Sequence, residues 1–176
     1  VAGQAGLSNG GGRGIRIVDS AERTVGWSYY APGTVTANQG NDFRLPDTRG
    51  VLSMPALRTK SAPTPGVVAP EALQSRLQRP SDAELATADL QVTELLPDSV
   101  NVGACDGYAF IEVYNATDAA VRWEDFTIRY LYPLDDLSNS NTALWPSTPR
   151  EASIPAGGTV VLWIKNGANN ALTAAD

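Results

Sequence analysis

DGYAFIEVYNAT (residues 106–117) carries the fold in its alternation. Ala109, Ile111 and Val113 fall on one side, and Tyr108, Phe110, Glu112 and Tyr114 on the other, which is the period of two of a β-strand. Asp106-Gly107 before it and Asn115 with Thr117 after it are turn signals, because short polar side chains bond nearby backbone amides. Two acids lie inside the stretch, Asp106 and Glu112, and two more, Glu94 and Asp98, lie upstream in VTELLPDS (92–99). They pose a choice between a carboxylate pair for acid–base chemistry and strands whose acids face water. No histidine, lysine or serine motif stands beside them to complete a catalytic set, so the strand reading is preferred. Glu112 is then expected to pair with an arginine on a neighbouring strand, such as Arg129.

Composition narrows the chemistry further. The 176 residues are enough for one ordinary domain, and 43% hydrophobic residues can build a core. Histidine is absent, which removes the usual general base and the commonest metal ligand. The single cysteine, Cys105, can form neither an internal disulfide nor a zinc cage and reads as a small residue in a turn. Thirteen basic residues against nineteen acidic ones give a net charge of −6, a sign that opposes a phosphate backbone. The basic residues that come closest to a patch, Arg58, Lys60, Arg76 and Arg79, are sparse, so no nucleic-acid partner is expected. No apolar run reaches the ~18 residues of a membrane span.

Outward from the opening stretch, LQVTELLP, VRWEDFTIRYLYP and TVVLWIKN are further strand-like segments separated by turns. At the other end, RGIRIVDSAERTVGWSYY (13–30) reads as a hairpin, with Ile15, Ile17, Val25 and Trp27 on its apolar face. The Gly-rich residues 1–14 lead into a strand and lack the Gly-Lys-Ser/Thr of a phosphate loop. Residues 31–88 are broken by prolines and glycines and read as irregular. Within them SAPTPGVVAP (61–70) reads as a stiff linker, followed by a helical turn or two around Leu73 and Leu77 before Pro80. Many short strands at this spacing predict an all-β sandwich with a Pro-rich irregular connector.

Val92-Thr93-Glu94, Pro97-Asp98, Asp106-Gly107-Tyr108, Phe110 through Asn115, Trp145-Pro146-Ser147 and Ile154 through Gly167 together resemble the opening strands of the bacterial lamin tail domain. Residues 1–66 resemble the closing hairpin and tail of the same family, so the family's order is reversed along this chain. The resemblance implies an immunoglobulin-like β-sandwich split into a closing segment (1–66), a linker (67–88) and an opening segment (89–176). It also implies a non-catalytic structural or attachment module in an exported or cell-surface bacterial protein. Two alternatives accompany it. One is a subunit of an extracellular fibre or surface array built by strand exchange. The other is an accessory domain of a secreted phosphoesterase or nuclease. The partners expected are other lamin-tail domains, met within one chain or by exchange between copies. Stiff prolines favour the exchange.

Three further groups of residues invite a functional reading. LDDLSNSNTALWP (134–146) gathers oxygen ligands, and Asp135, Asp136, Asn139 and Asn141 form a candidate calcium set. Their spacing lacks the regular pattern of a hand-shaped calcium loop, which favours a solvated loop and no cofactor. Trp123, Trp145 and Trp163 would suit a carbohydrate platform, but core packing explains them better. Asn115-Ala116-Thr117 has the form of a glycosylation sequon.

Overall fold

The polar segment 19–23 closes a hairpin between β1 (Arg13–Asp19) and β2 (Thr24–Tyr30) in the computed structural model, which describes residues 7, 9–44, 53–73, 89–131, 143–146, 152–165 and 171–173. Asp19 shapes the turn. Its carboxylate accepts the backbone N–H groups of Ala21 and Arg23, both at 2.9 Å, and pairs with the Arg23 guanidinium. The simple alternation predicted for the return strand does not hold. Val25 is a bulge between the register pairs Val18↔Thr24 and Ile17↔Gly26. One extra residue reverses the phase beyond it. Ser28 and Tyr30 therefore face the core, while the Trp27 and Tyr29 rings stack 5.8 Å apart, with Tyr29 exposed.

The strands that follow are β3 (Gly40–Phe43), β4 (Ala56–Ser61), β5 (Leu90–Leu96), β6 (Asn101–Val102), β7 (Cys105–Asp106) and β8 (Phe110–Asn115). After them come β9 (Val121–Arg122), β10 (Phe126–Leu131), β11 (Ala143–Pro146), β12 (Ser153–Ile154) and β13 (Thr159–Trp163). One main sheet has the order β11-β10-β1-β2 and the other β13-β8-β5-β3-β4, with β9–β12 and β6–β7 as small ribbons. The inner faces meet over a core that includes Ile15, Ile17, Phe43, Leu95, Ile111 and Trp123. The fold is all-β, a sandwich of the immunoglobulin-like class.

The two ends of the sequence meet inside the chain: β1 pairs with β10, and β3 pairs with β5. Within one chain these pairings build a single sandwich; exchange between copies, which the prolines were expected to favour, would make the same pairs between molecules. Residues 31–61, expected to be irregular, supply β3 and β4. Sequence patterning overlooked these strands because GNDF is short and buries the polar Asn41 and Asp42. ALRTKS is mostly exposed, an edge whose Arg58 and Lys60 discourage further pairing.

Residues 61–70 do not form a free linker either. They lie as a strap across the outer face of the five-stranded sheet and end in a single 3-10 turn at Pro70–Leu73. The expected helical continuation through Leu77 to Pro80 lies outside the described residues. With the other sheet on one face and the strap on the other, β5 is buried along its whole length.

Candidate functional site

The acids of the opening stretch do not face water. Register places Asp42 opposite Glu94 across β3 and β5, and Glu94 opposite Glu112 across β5 and β8. The three carboxylates thus form one row on the outer face of the sheet, and they are only 5%, 2% and 1% exposed. Arg58 extends the row on β4: it lies opposite Asp42, and its Nε donates to Asp42 Oδ2 at 2.7 Å. A bulge in β5 between Val92 and Glu94 adds Thr93 to the same group.

The strap covers this row. Pro65 and Gly66 form the centre of a tight turn, closed by the Val67 N–H onto Thr64 O at 2.9 Å, with Gly66 at φ +82°. The turn points its backbone donors down. The Thr64 N–H reaches both Glu94 oxygens at 3.1 and 3.0 Å, and the Thr64 hydroxyl adds a third contact at 3.3 Å. The Gly66 N–H donates to Glu112 Oε2 at 2.5 Å, while the Thr93 hydroxyl donates to Glu112 Oε1 at 2.6 Å. Gly40 completes the enclosure, because a Cβ there would stand 2.5 Å from Glu94 Oε1.

Burial pushes the Glu94 carboxyl up to about 7, with Asp42 and Glu112 adding to the effect and the Thr64 donors opposing it. Burial likewise raises Glu112, against the Thr93 hydroxyl and the Gly66 N–H. A carboxyl that titrates near neutrality is suited to proton transfer. Here the space above it is small. The cavity above the row, bounded by Arg58, Val68 and Ala72 among others, measures about 10 Å³, the size of one water at most. The donors around the carboxylates come from the chain itself, so the arrangement works as a buried latch that holds the strap to the sheet.

Two sequence expectations are corrected here: the strand acids do not face water, and Glu112 does not pair with Arg129, whose guanidinium reaches Glu22 in the hairpin turn. The four acids fall in two places. Glu94 and Glu112 sit in mid-strand, whereas Asp98 and Asp106 belong to the β5–β8 connection, where Asp106 Oδ1 accepts the Ser99 N–H at 3.0 Å. Burial and the neighbouring Asp106 raise the Asp98 carboxyl. Asp42, Thr64, Gly66 and Thr93 were missed as partners of these acids. The Pro-Thr-Pro-Gly spelling was a turn signal, but nothing in the sequence says what a turn lies against.

The other candidates disperse. Asn115 is fully buried. Its amide donates to the carbonyls of Ala119, Ile154 and Pro155, and its oxygen accepts from Thr117, so the sequon nitrogen is occupied by the fold. Trp123 is in the core. Trp163 is half-buried: its indole N–H donates to Gly107 O at 2.8 Å and its ring stacks on Tyr108 at 6.0 Å. Trp145 lies opposite Ile128 in the β10–β11 pairing. With Trp123 in the core, the three tryptophans do not share one exposed platform. Cys105 is a half-buried free thiol in β7. The calcium candidates Asp135, Asp136, Asn139 and Asn141 lie outside the described residues. Among the described residues no group of three or more acidic, histidine or cysteine side chains could hold a metal ion. No described helix is long and apolar enough to cross a membrane.

Comparison with known proteins adds one relative. The chain is 40% identical over 88 residues to the uncharacterized protein YvnB of Bacillus subtilis (strain 168), a match covering 50% of this chain and 7% of that protein. No family model matches the chain, and no solved structure matches it.

Proposed function

We propose that this chain is a lamin-tail-like, immunoglobulin-type module that serves a structural or attachment role, without catalysis, in an exported or cell-surface bacterial protein. The observation that carries the reading is the latch. Glu94 and Glu112, both raised by burial, are spent on the chain's own strap, under a cavity too small for a substrate. The tail-domain motifs fall on the strands that pair at the centre of the sandwich, with Glu94 of the VTE motif and Glu112 of the FIEVYN motif directly opposite each other. The relative's much greater length suits a module carried within a larger chain. The partners proposed are other domains of the same kind, or the remainder of the protein that bears it.

Light scattering on the purified chain, together with a panel of phosphoesters, tests this reading. A monomer of 18.6 kDa without turnover is expected. Hydrolysis that disappears in Glu94→Gln or Glu112→Gln would make the row an active site and reverse the assignment. A stable higher-order oligomer would instead favour assembly by strand exchange.

A further inference from the structure

The five-stranded sheet has two ends, and they are built differently. At β4 the edge is broken by register shifts and carries Arg58 and Lys60. At the other end lies β13, which pairs with β8 in unbroken register. Its stretch TVVLWI (159–164) holds no charge, no proline and no glycine. Edge strands are normally shielded by such features, because an open edge is a template for another strand.

The backbone of this edge is open. The Ile164 N–H donates to Ala109 O at 2.8 Å, and Gly158 O accepts the Asn115 N–H at 2.9 Å. The even-numbered residues therefore turn their backbone groups toward β8, while Thr159, Val161 and Trp163 turn theirs away from it. Among the described residues nothing bonds these outward N–H groups and carbonyls. Apolar side chains gather on the same side. Val161 is 38% exposed and stands opposite the buried Glu112, and Val67, next to the Gly66 that holds Glu112, is more exposed still. Further along, the exposed Tyr108 stacks on Trp163, whose indole reaches Gly107 O, and the Gly107 N–H reaches the carbonyl of the exposed Val100. On the inner face Val160 and Leu162 pack on the core but stay only partly buried, with no described strand beyond them.

We infer that β13 is a docking edge for an extended, uncharged strand of a partner polypeptide. A row of alternating backbone donors and acceptors is answered in full only by another extended backbone, and the apolar residues on both faces of β13 select its side chains. Lys165, the nearest charge in sequence, is already engaged by the Trp163 ring at 4.6 Å and by the Leu172 carbonyl. A second copy is the less suitable occupant, since each carries a net charge of −6 that opposes bringing identical edges together. The inference names the surface through which an attachment module holds its partner, but it stands on the geometry of the edge and not on that reading.

The test is amide hydrogen exchange by NMR on the 176-residue chain, with and without capped peptides of about eight residues that alternate threonine with valine, isoleucine or tyrosine. At least one peptide should slow exchange at Thr159, Val161 and Trp163 about tenfold or more, and leave Val160 and Leu162, already bonded to β8, unchanged. The same peptide N-methylated at two adjacent central residues, which blocks both of its edges, should have no effect. The slowing should vanish in Val161→Pro, which removes an N–H that β8 does not use, and in Val161→Lys, which gives β13 the kind of charge that guards β4. If Val161→Pro does not fold, Val161→Lys, at an exposed position, decides alone. The inference is overturned if no peptide slows the outward amides, if Val160 and Leu162 slow equally, if the N-methylated peptide acts as well, or if slowing survives the decisive variant. It is also overturned if the outward amides are already slow in the free monomer, or slow with protein concentration alone, which would make a second copy the occupant.

Discussion

Replacing Glu94 by glutamine tests the latch through its pH dependence. The wild-type carboxyl moves from an ordinary 4.5 to about 7 on folding, mainly through burial. The folded state therefore holds a proton that the unfolded state has already released between those two values. Stability should fall as pH rises through that window, and level off above about 7. The full displacement corresponds to at most about 3 kcal/mol. The strap is only one chain thick and solvent screens through it, so a loss of about 1–2 kcal/mol between pH 5 and pH 7.5 is the working expectation. Glu112 and Asp98 are raised too and contribute with the same sign, so some slope remains in any single variant. Asp19 is lowered by its Arg23 partner, and its effect falls at lower pH, outside the window.

Urea denaturation of wild type and Glu94→Gln at pH 5.0, 6.0 and 7.5 measures this directly. The wild-type midpoint should decrease with pH at constant m-value. In the variant that decrease should shrink, because glutamine keeps an acceptor for the Thr64 N–H without a titrating proton. At pH 7.5 the variant should match or exceed wild type, since no ionised carboxylate remains to be buried there. A wild-type midpoint that is flat or rises from pH 5 to 7.5 would refute the reasoning. So would a slope left unaltered by the substitution.

Three other outcomes follow from the same geometry. Gly66→Ala should cost about 1 kcal/mol from its positive φ alone, since an added Cβ would meet nothing within 4 Å; faster hydrogen exchange at the Thr64 amide would show the strap loosening. Thr93→Val removes the hydroxyl that donates to Glu112 at 2.6 Å and should lower stability by about 1–2 kcal/mol in chemical denaturation. Ile111→Asp puts a carboxylate at a fully buried core position and should cost more than about 4 kcal/mol, abolishing the cooperative thermal transition.

The sandwich was legible wherever the residues obey a period of two. Leu90–Leu96, Phe110–Asn115, Phe126–Leu131 and Thr159–Trp163 all stand within the strand-like stretches read from the sequence. The departures share one physical cause. Periodicity reports the faces of a strand, not what lies against each face. A single bulge at Val25, which itself stays in the core as expected, exchanged Trp27 for Ser28 and Tyr30 as inward residues of β2. A Pro-rich stretch that looks like a linker in isolation became a cover once it had a sheet to lie on. For the same reason Glu112 was placed on the correct face, with Phe110 and Tyr114, and given the wrong partner. Its actual donors, the Gly66 N–H and the Thr93 hydroxyl, come from a turn 46 residues away and from a bulge, and neither leaves a mark in the alternation.

The row of acids also bears on how the N-terminal and C-terminal segments find a single register. The β3–β5 pairing is the seam between them, and Asp42 opposite Glu94 lies on it. Like charges directly opposite each other across a strand pair are destabilising on their own. Arg58 offsets Asp42, and the strap supplies donors to Glu94 and Glu112, so the row is tolerable only with β4 and residues 64–67 in place. A slip of one residue along β3 or β5 would turn the acids into the core and bring Asn41, Phe43 or Leu95 outward. The correct register therefore depends on three separate pieces being seated together. Because residues 64–67 follow β4 directly, the strap travels with β3 and β4 and satisfies the same carboxylates whether the sandwich closes within one molecule or between two.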